Sequence, residues 1–415
     1  MPRVATPSAV EPASRRTMIA TVLIGALGYF VDIYDLLLFS IVRTKSLADL
    51  GVPPAESLTV GLSLLSWQMW GLLGGGLLWG VLGDKRGRVS VLFGSILLYS
   101  TANIANAFVS TLGQYEFWRF VAGVGLAGEL GAAITLVSET LPAKHRGYGT
   151  AVVAGVGLFG AVLAAYVGKN YSWRTAFIVG GVLGFALLLT RVSMLESGMF
   201  SRVRDETVKR GDLRMLFLSP PRLFRLVRCV LIGLPIWFVV GILVTGAPEF
   251  ARAFGVAGAV SAASAVQWTY LGLVLGDLAS GALSQWLGSR RRVVLGFLLF
   301  TTALVGVFLT RTGGTATELY ALCAAMGFGI GYWAVFVTIA AEQFGTNLRA
   351  TVTTSVPNFV RGSVPLLTAA FIGLKSRGLS IVASASVVGA ACLALALVSL
   401  WRMEETYGKE LDYLE

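Results

Sequence analysis

Long apolar runs separated by short polar loops recur along the whole chain. They fall at about 18–41, 58–82, 89–109, 115–140, 147–168 and 173–194, then at 226–246, 262–287, 292–310, 317–341, 351–372 and 380–401. Each approaches or exceeds the roughly 20 residues that cross a bilayer core. Backbone polar groups cannot go unpaired in lipid, so runs of this length predict helices rather than barrel strands. The pattern predicts an all-α membrane protein with 12 transmembrane helices. A polar stretch divides them six and six, giving a tail at 1–17, an N-terminal bundle at 18–195, a linker at 196–225, a C-terminal bundle at 226–401 and a tail at 402–415.

Composition supports lipid as the solvent. Hydrophobic residues make up 55% of the 415 and charged residues 13%, about half the charge of an average soluble chain, and mean hydropathy is +0.76. The net charge of +11 does not point to nucleic acid, because the basic residues sit in short loops between apolar runs. Twelve spans place both termini on one side. That side carries 23 of the 33 Lys and Arg, the opposite loops carry 8, and Arg119 and Arg361 remain inside spans. Basic loops stay cytoplasmic, so both termini are expected inside and the chain in the cell (inner) membrane. Cys229, Cys323 and Cys392 lie in or beside apolar runs without metal spacing and read as filler thiols. The first run is too long and interrupted for a cleaved signal. No cofactor is expected, no nucleophile–base pair or phosphate loop supports an enzyme, and a monomer in the lipid bilayer is the expected form.

The halves repeat. Gly80-Val-Leu-Gly-Asp84-Lys-Arg-Gly87-Arg88 follows span two, and Gly281-Ala-Leu-Ser-Gln285-Trp-Leu-Gly288-Ser-Arg290 follows span eight. Glu139 precedes Arg146 by seven residues after span four, and Glu342 precedes Arg349 by the same seven after span ten. The offsets of 201 and 203 nearly agree. A parallel six-plus-six repeat places the solute between the halves near the midplane.

These motifs resemble the major facilitator superfamily over the whole chain. The loop GDKRGR resembles its signature between helices two and three. WRFVAGVGLAGELGAAITLVSETLPAKHRG resembles helix four of the metabolite:proton symporters, with Glu129, Gly131, Ala132, Ala133, Glu139, Pro142, Arg146 and Gly147 matching or nearly matching. GYFVDIYDLLLF, with Asp32, Tyr34 and Asp35, resembles helix one of the phosphate:proton symporters. The chain departs from those at helix seven, where Trp237 is followed by Phe-Val-Val-Gly241 rather than by an acid four residues on. The resemblance implies a proton-coupled secondary transporter. It also implies that Gly80, Asp84, Gly87, Arg88, Glu139 and Arg146, with Glu342 and Arg349 as a second copy, form a conformational latch. Arg290 to Arg292 read instead as headgroup anchors.

Five ionisable residues stand well inside spans: Asp32, Asp35, Arg119, Glu129 and Arg361. Each costs roughly 2.5–3.5 kcal/mol at a helix centre unless it pairs or lines a cavity. Counting depth at about 1.5 Å per residue puts Asp35 and Arg119 near one level, with Asp32 one turn deeper and Glu129 and Arg361 close to the midplane. A structural bridge between spans one and four and a proton site are both compatible with Asp35 and Arg119. The single histidine, His145, is in a loop, so proton coupling falls to Asp32, Asp35 or Glu129, with Arg119 as the modulating partner; sodium suits the same carboxylates. Arg361 has no evident acidic partner, Asp277 being the nearest by composition, and so is expected to take an anion. Asn358, Tyr34, Trp237, Gln267 and Tyr332 complete the expected substrate set or else pack the core. The leading reading is symport of a small mono- or dicarboxylate by alternating access. Phosphate or zwitterion uptake, an exporter, and a non-transporting receptor are the rivals.

The topology has a direct check. A cysteine introduced in 197–222 should react only with reagents added from the cytoplasmic side; labelling from outside in intact cells overturns it.

Overall fold

The computed structural model describes residues 15–86, 88–129, 143–196, 217 and 219–408. Helices α1 (Arg15–Asp49), α2 (Ser57–Arg86), α3 (Arg88–Asn106), α4 (Leu112–Leu126), α5 (Ala143–Asn170) and α6 (Trp173–Glu196) form the first half. The second half holds α7 (Pro220–Phe238), a π-helical turn (Val239–Val244), α8 (Ala247–Phe254), α9 (Ala262–Trp286) and α10 (Arg290–Leu309). It continues with α11 (Ala316–Gly329), α12 (Trp333–Glu342), α13 (Thr346–Gly362), α14 (Val364–Ser376) and α15 (Ile381–Trp401). No strand occurs among the described residues beyond one isolated bridge, Ala257–Thr315. Most of the 196–225 linker lies outside the described residues. The helix after it begins at Pro220, earlier than the apolar run, because Pro220 and Pro221 occupy first-turn positions where a missing N–H goes unused.

Helix ends lie where polar caps are available. Thr111, Ser289 and Ser380 each accept an N–H from the first turn of the helix that follows. Thr315 and Glu318 form a reciprocal capping box. Among the described residues, six helical stretches are individually long and apolar enough to cross a bilayer, Met18–Asp49 and Pro220–Val244 among them. Three predicted spans are interrupted. Span seven passes through the π-helical turn and Gly246 before α8, and span ten breaks between Gly329 and Trp333. Span eleven breaks at Ser363, one residue before α14 and its first-turn Pro365. Large apolar side chains face outward, as a lipid solvent requires: Leu189, Phe224, Leu275 and Leu366 are all exposed.

Glycine against backbone holds each half together, and the two halves use the same contacts. A Cβ at Gly71 or Gly75 of α2 would strike the Phe120 or Val124 carbonyl of α4, and one at Gly123 would strike Gln68. At an offset of 201, Gly272 and Gly276 of α9 stand against the Ala324 and Phe328 carbonyls of α11, and at an offset of 204 Gly327 stands against Thr269. Small residues let membrane helices approach this closely. Between the halves, α9 packs on α1 and α5, while α2 packs on α13 and α14.

On the face opposite the termini one charge crosses between the halves. Arg43, fully buried near the end of α1, donates to both Glu249 carboxylate oxygens on α8 (2.8 and 2.7 Å) and to the Thr245 carbonyl (3.0 Å). It also holds the Ser57 carbonyl at the start of α2 (2.9 Å), and its aliphatic stem fills the space that Gly61 leaves. Thr245 donates to Ser40 beside it. Arg43 was counted among the loop cations because the apolar run ends at residue 41, whereas the helix continues to Asp49.

Glu249→Ala leaves Arg43 buried without its carboxylate, a loss of about 3–5 kcal/mol for the closed arrangement. A cysteine at Ser40 should then become reactive to an impermeant maleimide added on the face opposite the termini, while staying protected with Glu249 intact. Equal protection in both backgrounds shows that other contacts close this face.

Candidate functional site

One face of α1 organises the buried charge. Positions 28, 32 and 35 align at helical spacing, and the first two meet ionic groups on neighbouring helices. Gly28 leaves room for the Glu129–Arg191 pair, since a Cβ there would strike both side chains. Asp32 faces Arg361 of α13 across the interface between the halves, Oδ2 to Nη2 at 3.6 Å, with both side chains almost wholly buried. Asp35 lies against Gly180 of α6.

The Asp32–Arg361 pair corrects the expectation that Arg361 lacks an acid. Depth counted along each helix cannot show which residues meet across two tilted halves, and Asp277 is engaged elsewhere. At 3.6 Å the pair is longer than the 2.7–2.9 Å of a charge-assisted hydrogen bond. Both Asp32 oxygens, and Nε and Nη1 of Arg361, have no hydrogen-bond partner. The guanidinium lies 5.9 Å from the centre of the Trp333 ring. Tyr29 and Tyr270 stand within electrostatic reach of Arg361 and Asp32. Asn358, one turn before Arg361, donates to the Ala127 carbonyl of the other half (3.3 Å) and leaves its own Oδ1 unpartnered.

Asp35 and Arg119 share the core of the first half but form no ion pair. Arg119 donates to Gln68 Oε1 and is sandwiched by the rings of Phe39 and Phe177, at 5.0 and 5.7 Å. Its Nε and Nη1 and both Asp35 oxygens have no hydrogen-bond partner. Glu129 is instead fully paired. Arg191 of α6 forks onto it, Nη1 to Oε2 at 3.0 Å and Nη2 to Oε1, with both side chains buried. Arg191 was assigned to the cytoplasmic loop; it lies one turn inside α6, which runs to Glu196. That position inside its own span was the signal available in the sequence.

The other expected substrate residues divide. The Tyr34 hydroxyl donates to the Ala176 carbonyl (2.9 Å) and that of Tyr332 to the Ile232 carbonyl (2.9 Å). Both tie helices within one half rather than reaching Arg361, because a buried hydroxyl takes the nearest backbone acceptor. Trp237 is buried in the last turn of α7, and Gln267 is half-buried a turn before Tyr270. Of the expected latch, Gly80 belongs to α2. Gly87, Glu139 and the side chains of Asp84, Arg88, Arg146 and Arg349 lie outside the described residues. Glu342 pairs with Arg290 (2.9 Å), which also donates to Ser284. Arg290 is therefore no headgroup anchor: Glu342, nearly buried at the end of α12, draws it in.

Residues 17–369 match the Major Facilitator Superfamily. The chain belongs to that family. It is 30% identical over 337 residues to the 3-(3-hydroxy-phenyl)propionate transporter of Escherichia coli K12, covering 78% of this chain and 80% of that one. It is 26% identical over 362 residues to the putative niacin/nicotinamide transporter NiaP of Bacillus subtilis, covering 82% and 84%. Among solved structures, a D-xylose-proton symporter superposes with a TM-score of 0.66 at 16% identity, covering 95% of this chain and 99% of that one. The facilitator fold makes this a multi-pass membrane protein and places the Asp32–Arg361 pair between its two halves.

Arg191→Leu leaves Glu129 as an uncompensated buried carboxylate and should lower stability by about 3–5 kcal/mol. Replacing both residues with leucine should recover most of that loss. Thermal denaturation in detergent reads the difference, and a single variant as stable as the parent shows that the pair contributes nothing.

Proposed function

We propose that this protein carries a small organic carboxylate, with an aromatic ring, into the cell together with protons. The observation that carries the reading is the long, underfilled pair between Asp32 and Arg361. Arg361 retains free N–H groups in a planar fork that matches a carboxylate. Asp32 holds it without a close hydrogen bond, as a counter-ion that a substrate carboxylate can replace. Trp333 offers the guanidinium a ring face suited to an aromatic substrate, with Tyr29 and Tyr270 within electrostatic reach, and the relatives are named for hydroxyphenylpropionate and for niacin/nicotinamide.

Coupling follows from charge. Asp32, Asp35 and Glu129 balance Arg119, Arg191 and Arg361 in the empty protein. A substrate carboxylate that takes Arg361 adds one negative charge and leaves Asp32 buried without its counter-ion. Burial favours the neutral acid, so Asp32 takes a proton as the anion binds, and the loaded interior is neutral again. Asp35, beside an arginine held by Gln68 rather than by itself, is the second carrier of coupling. The halves then rock about the site, with the termini and the basic loops on the cytoplasmic side.

The test is uptake of labelled carboxylates into proteoliposomes under an imposed pH gradient. Asp32→Asn and Asp35→Asn should each abolish accumulation, and Asp32→Asn should retain exchange of substrate for substrate, which moves no net proton. Arg361→Lys should weaken binding about tenfold or more although the charge is kept, because the planar fork is lost. Tight binding of a neutral sugar that survives Arg361→Ala overturns the anion reading and leaves the transporter standing.

A further inference from the structure

The break in span ten is built around an acid that the transport scheme leaves unused. Gly331, in the break, lies backbone to backbone against Gly276 of α9: a Cβ at Gly331 would stand 2.5 Å from the Gly276 Cα and 2.7 Å from the Asp277 nitrogen. This approach sets Asp277 at the first turn of α12, where Oδ1 accepts the Ala334 N–H at 3.0 Å. The carboxylate is nearly buried. A helix N-terminus with free N–H groups is an anion seat, and Asp277 fills this one from a neighbouring helix.

The residue beside that hydrogen bond is Trp333, the first of α12. Its ring lies against Phe336, centroids 5.6 Å apart, and faces the Arg361 guanidinium. Trp333 is only half-buried, so part of the ring is open to a ligand. The repeat shows that the acid belongs to one half alone. Gly276 corresponds to Gly75 at the offset of 201, and both make the same carbonyl contact, but the position of Asp277 corresponds to Gly76. Helix packing therefore does not require an acid there.

We infer that Asp277 is a positioning residue for the transported anion: by capping the first turn of α12 it fixes Trp333, and through Trp333 the plane of the Arg361 guanidinium. The inference rests on the reading that Arg361 receives the substrate carboxylate. The work is done by an acceptor at one N–H, not by a proton or a charge that moves.

That distinction sets the experiment. Full-length protein in proteoliposomes takes up labelled benzoate and 3-phenylpropionate under a pH gradient, while hydrogen–deuterium exchange follows a peptide spanning 330–337. Asp277→Ala should raise KM about fivefold to tenfold, the worth of one oriented cation–ring contact, with Vmax changed less than about twofold, and should speed exchange at the start of α12. Asp277→Asn keeps an acceptor oxygen and should restore both readings to near parental values. Trp333→Leu should raise KM to a similar extent, and adding Asp277→Ala should bring little further change, because both act through one element. KM unchanged in Asp277→Ala, an Asn variant as impaired as the Ala variant, or additive effects with Trp333→Leu overturns the inference while leaving the carboxylate reading intact. Parental protein that carries neither acid overturns the aromatic-carboxylate reading, and the role of Asp277 in substrate binding falls with it.

Discussion

Burying ions in a lipid-facing bundle is the constraint on which the rest of this structure depends. An unpaired charge at a helix centre costs a few kcal/mol even on the gentlest scale, and the described interior holds six along a single face of α1 and its neighbours. In this group Asp32, Asp35 and Glu129 stand against Arg119, Arg191 and Arg361, three against three. They are not equally paired. Glu129 and Arg191 form a closed fork within one half, which suits a permanent structural element. Asp32 and Arg361 meet across the two halves at a distance that leaves donors and acceptors unfilled, which suits an exchangeable one.

The contacts between helices fall into two kinds with different consequences. Within each half, glycines bring α2 onto α4 and α9 onto α11 at backbone distance. Such interfaces have no slack, because any side chain larger than hydrogen collides. Among the described residues the polar contacts between the halves are separate and individually reversible: Arg43 and Ser40 with Glu249 and Thr245 near one face, Asp32 with Arg361 and Asn358 with Ala127 further in. Rigid halves joined by breakable polar contacts have one soft motion, the rocking of one half against the other.

The apolar runs were enough to place the spans and the six-plus-six division, because length and hydropathy decide what crosses a bilayer. All five charges singled out in the spans are buried in the structure. Pairing was another matter. Arg361 meets Asp32, and not Asp277, because of tilt and rotation that a rise per residue cannot supply. Arg43 stands just past the end of its apolar run at 41, though the helix continues to Asp49; Arg191 stands within the last turn of its own run, so its burial is legible from the run itself. Glu249, Trp333, Tyr29 and Tyr270 carried no signal in the sequence, since aromatics at helical spacing pack cores far more often than they face ligands. The interruptions were marked, by Gly246-Ala247-Pro248, by Gly329 with Gly331, and by Pro365, in runs whose hydropathy reads straight through them.

Under the proposed symport, neutrality also links coupling to the charge of the substrate. With three acids against three arginines in the first half and at the interface, an arriving anion cannot be accommodated by rearranging ion pairs alone. One carboxylate must be left without a counter-ion, whichever arginine the substrate takes. A neutral solute creates no such deficit and provides no reason for an acid to change protonation on binding. A dianion creates twice the deficit and calls on a second acid, for which Asp35, unbonded at both oxygens, is placed one turn along the same helix. On that proposal the number of protons carried is tied to the charge of the substrate by the arginines already in place, and removing one arginine should alter the stoichiometry as well as the affinity.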